Sequence, residues 1–313
     1  MEERKKIVVI CGPTASGKTG LSLVLANKFN GEIISADSMQ VYKQLDIGTA
    51  KATKEEQSLA KHHLIDFLDP SESYNVEIFT RLAKEKIEEL SSKGKLPFIV
   101  GGTGLYVESL VKGITFTDQD DDKTIKNQLY KDLEEKGKEY LYNQLEQIDP
   151  DYAKTVHPNN AVRVIRALEI YYTTGVTMSQ QIANSKPIEK PFDELIIAIT
   201  FKDRAKLYQN IDKRVDIMVE NGVLKEAEYV YKNKDIFKGS VAAIGYKEFF
   251  PYFEGEQTLQ ECVDTLKQRS RNYAKRQLTW FNRMSDVNWV YVDDDIDYKE
   301  QAEKLLDNFM NGK

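Results

Sequence analysis

Gly12-Pro13-Thr14-Ala15-Ser16-Gly17-Lys18-Thr19 is the stretch that decides the fold of this chain. It has the spacing G-x-x-x-x-G-K-[ST]. Directly before it stands the apolar, β-branched run Ile7–Cys11, which predicts a buried parallel strand. Directly after it come Leu21, Leu23, Val24 and Leu25, the expected apolar positions of a helix that Gly31 ends. A glycine-rich turn between strand and helix suits an anion. The glycines let the backbone curl so that successive N–H groups face one point, and the helix N-terminus adds its dipole. Gly12, Pro13, Thr14, Ala15, Ser16, Gly17, Lys18 and Thr19 are therefore expected to hold a phosphate-bearing ligand. Lys18 would reach a terminal phosphate, and the Thr19 hydroxyl would ligate magnesium (Mg²⁺). Which phosphate is bound stays open, because a nucleoside triphosphate and a diphosphate ester fit the same cradle.

Working outward, the first hundred residues read as βα units. Glu32–Ala36 and Pro97–Val100 are further short strands. Between them Val76, Phe79, Leu82, Ala83, Ile87 and Leu90 recur at three- and four-residue spacing, one face of an amphipathic helix that Gly94 follows. Near residue 115 the texture changes. Asp118–Asp122 is acidic, and no strand signal appears before about Lys190. Helices are expected at Lys123–Gln147 and Asn160–Thr174, the latter with Asn160 at its start and Gly175 at its stop. Leu195–Phe201 and Val287–Val292 are strands, and Arg204–Asn221, Val223–Tyr231, Leu259–Arg283 and Lys299–Met310 are helices. The chain is thus expected to be α/β, a mostly parallel sheet flanked by helices, with an inserted all-helical subdomain. Residues 1–117 and 188–313 would form the core and 118–187 the insertion, hinged at Thr115–Asp122 and Lys186–Pro191.

The length of 313 residues fits two domains at ~150 residues each, or one with an insertion. With 41% hydrophobic and 30% charged residues, 17 Gly and 8 Pro, the composition excludes collagen, low-complexity disorder and a disulfide scaffold. No apolar run approaches the ~18 residues of a membrane span, so no membrane partner is expected. The basic start runs straight into a short apolar segment and the glycine-rich loop, which is not the pattern of a signal peptide. Cys11 and Cys262 are too few for a disulfide framework or a zinc site and indicate a reducing, cytoplasmic setting. His62 and His63, with no cysteine or carboxylate beside them in sequence, read as structural rather than metal-binding.

Asp37-Ser38-Met39-Gln40-Val41-Tyr42 follows the second strand. Loops after neighbouring strands of an open α/β sheet meet at the strands' carboxyl ends. Asp37 would therefore point at the ligand of the phosphate loop, although an aspartate after a strand also serves as a turn or helix cap. From Lys267 to Arg283 the chain carries Lys267, Arg269, Arg271, Lys275, Arg276 and Arg283 without one acidic residue, in a protein of net charge −6. A helix of that length is about 25 Å long and can follow several phosphates of a nucleic acid. Tyr273, Trp280 and Phe281 are interleaved, with Trp280 expected to face the core.

GPTASGKT, DSMQVYK with GTAK close behind, HHLID, GGTGLY, HPNN–RVIRALE, IDKRVDIM, AIGYKE and NYAKRQLTWF occur in this order over residues 7–285. In this the chain resembles the bacterial tRNA dimethylallyltransferases. The resemblance implies a P-loop NTPase-like fold used for prenyl transfer instead of phosphate transfer. The donor would be dimethylallyl diphosphate, and the acceptor N6 of the adenosine 3′ of the anticodon in a tRNA anticodon stem-loop. It implies Asp37 as general base, and Lys18, Thr19 with Mg²⁺, and Arg214 as a diphosphate clamp. The adenine amino group is a poor nucleophile that needs such a base, and its leaving group needs such a clamp. Asp37, Ser38, Met39, Gln40 and Thr103 match positions that meet the target adenosine; the alternative for Gly101–Gly104 is a turn that opens a helix. Lys126, Arg163 and Arg166 match positions toward tRNA, and Arg271, Lys275 and Arg276 of the basic run are expected to contact it through their charge. Lys126 aligns with an arginine of many relatives, keeping the charge but not the planar fork. Arg163 and Arg166 lie off the expected apolar face Val162/Ile165/Leu168/Tyr172. A monomer is expected.

Three other readings share some of these features. A P-loop kinase for a small molecule or nucleotide would use the same loop for ATP. No aspartate ends the strand Pro97–Val100, where its metal ligand would stand, and it has no use for a basic helix. A prenyltransferase acting on free adenylate has no use for the insertion. A non-catalytic RNA-binding protein has no need of the Lys18/Thr19/Asp37 set.

Overall fold

The computed structural model describes residues 4–115, 124–185, 189–237 and 239–312. The chain divides into two compact units, Met1–Val111 with Pro191–Lys313, and Lys112–Lys190. No helix among the described residues is long and apolar enough to cross a membrane.

The first half of the larger unit runs β1 (Lys6–Cys11), α1 (Lys18–Lys28), β2 (Gly31–Ser35), α2 (Lys54–Leu59), β3 (His62–His63), α3 (Val76–Ser92), β4 (Leu96–Gly101) and α4 (Gly104–Val111). The smaller unit holds α5 (Thr124–Ile148), α6 (Pro150–Ala153), α7 (Ala161–Thr174) and α8 (Met178–Asn184). The chain returns through β5 (Asp193–Thr200), α9 (Arg204–Glu220), α10 (Val223–Lys232), α11 (Phe250–Phe253), α12 (Leu259–Phe281), β6 (Val287–Tyr291) and α13 (Tyr298–Met310). All six strands are parallel, in the order β3-β2-β4-β1-β5-β6.

β1 lies at the centre because it is apolar on both faces. Side chains alternate along a strand. Val8 and Ile10 accordingly pack with Leu21 and Leu25 of α1 and Leu306 of α13, whereas Ile7, Val9 and Cys11 pack with Phe79 and Ile87 of α3 and Leu110 of α4. Full burial of each such aliphatic side chain stabilises the fold by about 1.5–3 kcal/mol. The loops after β1, β2 and β4 then emerge side by side at one edge of the sheet. Asn75 caps α3 by accepting from the Ile78 N–H at 2.9 Å, and Thr258 caps α12 in a reciprocal box with Glu261.

Several expectations need correction. Val24 of α1 is exposed, and Ala26 is buried instead. Leu23, Val24 and Leu25 are consecutive, and three consecutive helical positions span too wide an arc to share one face. His62–His63 is a strand, pairing with Ile33 and Ile34 at the edge of the sheet. The short helices α2, α4, α6, α8 and α11 carry too few residues for a periodic signal. α5 is not one continuous helix: Gly137 breaks it with φ 81° and ψ 172°. In α7 the buried face is Val164, Ile165, Ala167 and Leu168, set against Leu129, Leu141 and Leu145 of α5, so Val162 and Tyr172 lie outside. Asp118–Asp122, Pro187 and most of the two expected hinges lie outside the described residues.

Candidate active site

Gly12 turns β1 into the phosphate loop with φ +135°, and a Cβ there would meet the Ile199 carbonyl oxygen of β5 at 2.2 Å. Only glycine accepts both conditions. The loop then wraps the start of α1, whose first amides have no partner within the helix. Lys18, partly buried, donates from Nζ to the Pro13 carbonyl at 2.6 Å. Burial and the neighbouring Arg214 lower its pKa to about 8, against the opposing pull of Asp37. Arg214 of α9 is likewise lowered by burial, with Asp37 again favouring its charged form. Asp37 acts on both cations and Glu56 on Arg214 as well, and a bound diphosphate would add further negative charge beside them. Cys11, beneath the loop, is raised to about 12 by burial and is inert.

Asp37 follows β2. Its Oδ1 accepts from the N–H groups of Met39 at 2.8 Å and Gln40 at 3.2 Å. The carboxylate is therefore a turn cap on one side. Its Oδ2 receives no hydrogen bond among the described residues, and Asp37 lines the cavity that holds the phosphate loop. Thr103 is placed to hold this turn: its Oγ1 accepts from the Ser38 N–H at 3.2 Å, and its N–H donates to Ala36 at 3.4 Å. Gly101–Gly104 leads into α4 and, through Thr103, holds the residues on either side of Asp37. Gln40 spends its side-chain amide internally, donating to the Thr49 and Ala50 carbonyls at 3.3 and 3.1 Å.

The cavity has a volume of about 480 Å³. Thr14–Thr19, Asp37–Gln40, Gly101, Gly102, Arg214, Tyr273 and Arg276 line its polar side. Met39, Ile211, Val215, Met218, Ala243, Ile244 and Leu266 supply apolar surface. The structure thus brings Lys18, Thr19, Asp37 and Arg214 together from three separate parts of the sequence. Sequence reasoning missed Gln277 and Tyr273 as site residues. Gln277 accepts from the Thr14 N–H at 2.8 Å, so that amide of the expected anion cradle is already engaged. Lys247 and the loop before it also line the cavity; their one signal was the AIGYKE block.

The basic helix α12 is not free of compensating acids. Lys267 lies 2.6 Å from Asp216, and Arg271 pairs with Asp212, both on α9. Arg269, Lys275 and Arg276 are exposed and make no ion pair among the described residues, and the Arg276 guanidinium stacks 5.6 Å from the Tyr273 ring centroid. Trp280 is half-buried against Gly104. In the smaller unit Arg163 and Arg166 are exposed, Arg166 paired with Glu169 at 2.9 Å, and Lys126 is half-buried. The sequence-distant partner of the histidine pair is Glu32, 2.7 Å from His63 Nε2; no group of three metal-ligating side chains occurs among the described residues.

The family model described as IPP transferase matches residues 40–284. A tRNA dimethylallyltransferase of Bacillus cytotoxicus is 47% identical, covering 94% of this chain and 92% of its own. That of Bacillus subtilis is 44% identical, covering 97% and 96%. The crystal structure of the tRNA isopentenylpyrophosphate transferase of Bacillus halodurans superposes with a TM-score of 0.72 at 44% identity, covering 99% of this chain and 96% of that one. A eukaryotic dimethylallyltransferase acting on tRNA gives a TM-score of 0.84 at 34% identity, covering 99% of this chain and 80% of that one. A phosphate loop facing a carboxylate across one cavity, on a chain similar to these enzymes over nearly its whole length, places the protein in the IPP transferase family.

Proposed function

We propose that this chain is a tRNA dimethylallyltransferase that moves a dimethylallyl group from dimethylallyl diphosphate to N6 of the adenosine 3′ of the anticodon. The observation that carries the mechanism is the meeting of Asp37 with Lys18 and Arg214 at one cavity with an apolar wall. The diphosphate lies on the phosphate loop and the five-carbon group against Val215, Met218 and Leu266. The target adenosine leaves its stack to reach Asp37, as base-modifying enzymes require. N6 attacks the allylic carbon; the new N–C bond forms as the C–O bond to diphosphate breaks. Asp37 takes the N6 proton on its free oxygen, while Lys18, Arg214 and the loop amides hold the departing charge.

Thr19 fits Mg²⁺, because that ion accepts a site made of one protein oxygen, phosphate oxygens and water without a carboxylate cage. When bound, it would neutralise charge on the leaving diphosphate. Lys275 and Arg276 of α12 would meet phosphates of the anticodon stem-loop; in the smaller unit, Lys126, Arg163 and Arg166 are the residues proposed to touch the tRNA. With tRNA as acceptor, the reaction would take place in the cytoplasm. A kinase reading has no support: β4 ends in Gly101, not in an acidic metal ligand. Incubation with unmodified tRNA and either dimethylallyl diphosphate or ATP, followed by nucleoside mass analysis, tests the proposal. Dimethylallyl adenosine with the first donor supports it, and phosphate transfer from the second refutes it.

A further inference from the structure

Gln277 is 5% exposed, near the C-terminal end of α12, and its side-chain amide is used at both ends. Oε1 accepts from the Thr14 N–H of the phosphate loop at 2.8 Å, and Nε2 donates to the Gly102 carbonyl at 2.9 Å. Gly102 precedes Thr103, whose N–H and Oγ1 hold Ala36 and Ser38, the two neighbours of Asp37. One amide therefore joins the loop that would carry the leaving group to the brace that sets the base. The fit is close: a Cβ on Gly102 would meet Nε2 at 2.2 Å.

We propose that Gln277 is a positioning residue for the transfer, fixing the separation between the bound diphosphate and Asp37. It touches neither reacting atom. Its amide suits the task because it offers one acceptor and one donor in a rigid plane, which no apolar or ionised side chain of that size does. A reacting geometry that drifts by about 1 Å costs up to roughly 100-fold in rate while leaving each substrate's own contacts in place. The inference rests on Asp37 acting as the base, so Asp37→Ala is measured in parallel. Wild-type single turnover in Asp37→Ala defeats that reading, whereas a crippled Asp37→Ala beside a normal Gln277 variant defeats only the present one.

The experiment is steady-state kinetics of three variants of the full chain with tRNA and dimethylallyl diphosphate. Gln277→Met keeps volume and loses both bonds; kcat is expected to fall about 10- to 100-fold, with KM for both substrates within about threefold. Gln277→Glu offers the same donor and acceptor only when protonated, so its deficit relative to wild type at equal pH is expected to narrow as pH is lowered. Gly102→Ala pushes the mobile end of Gln277 aside and is expected to reproduce the Gln277→Met kinetics; the double variant should cost no more than either alone. Should Gln277→Met not fold, Gly102→Ala with the Gln277→Glu profile decides. An unchanged kcat, raised KM values at constant kcat, a Gln277→Glu deficit independent of pH, or additive penalties would each overturn the proposal.

Discussion

Lys267 Nζ of α12 lies 2.6 Å from Asp216 of α9, and one turn further along α12 Arg271 pairs with Asp212. Two of the six cations of the basic run Lys267–Arg283, five of which lie on α12, are thus answered by carboxylates on the neighbouring helix. Their charge is spent within the fold, and what remains for a nucleic acid is Arg269, Lys275, Arg276 and Arg283. Arg271, expected from the charge of the basic run to touch tRNA, pairs with Asp212 and would have to share its guanidinium with it.

The salt dependence of tRNA binding should divide along this line. Each phosphate contact adds roughly 0.7–0.9 to the slope of log affinity against log salt. Lys275→Ala and Arg276→Ala are expected to lower the slope by about one unit each and to leave the melting temperature unchanged. Lys267→Ala is expected to leave the slope unchanged and to cost at most ~1 kcal/mol of stability, as partly exposed pairs do. Titrations at several salt concentrations check this. Equal slopes for all three variants would make α12 a solvated face.

Asp37 carries two functions on two oxygens, and substitution separates them. Asp37→Asn keeps an acceptor for the Met39 and Gln40 amides but is no base. It is expected to fold normally, bind tRNA normally and lose about 10²–10⁴ in single-turnover rate. A variant with unchanged turnover would leave Asp37 only its role as a turn cap.

Lys18→Ala removes a cation from the diphosphate end of the cavity. Loss of such a contact in the transition state costs about 10²–10³ in rate. Because Lys18 also donates to Pro13, the loop loses one internal bond, and a melting curve separates any loss of stability from loss of catalysis. Turnover close to wild type in a folded Lys18→Ala protein would contradict the diphosphate assignment.

His62 and His63 make the fold acid-sensitive. Burial holds both imidazoles below their ordinary pKa, in His63 against the opposing hydrogen bond that its ring donates to the Glu32 carboxylate. The unfolded chain then binds more protons than the folded one. The stability at issue is present above the unfolded value of ~6.5 and is lost as pH falls through the lowered folded values. The His62→Gln/His63→Gln double variant is expected to lose less melting temperature between about pH 7.5 and pH 5 than wild type. Equal losses would show that the edge strand β3 does not sense protons.

The sequence by itself determined the α/β class and the phosphate loop, and it named Lys18, Thr19, Asp37 and Arg214, which line one cavity. It could do so because these signals are local or carried in ordered blocks. A glycine-rich turn, a buried strand and a helix stop each depend on a few adjacent residues, and α7 is bounded by the Asn160 side chain, which accepts from the Arg163 N–H, and by the left-handed backbone of Gly175. Tertiary structure alone decided what meets across the chain. No spacing shows that Gln277 reaches Thr14 and Gly102, that Asp212 and Asp216 neutralise part of α12, or that Glu32 faces His63. The outward turn of Val162 and Tyr172 has the same origin. A helix face is selected by the element packed against it, here Leu129, Leu141 and Leu145, and a single helix holds no record of that partner. Hydrogen bonds and ion pairs act over a few ångströms of space whatever the separation along the chain, so only the folded arrangement says which of them exist.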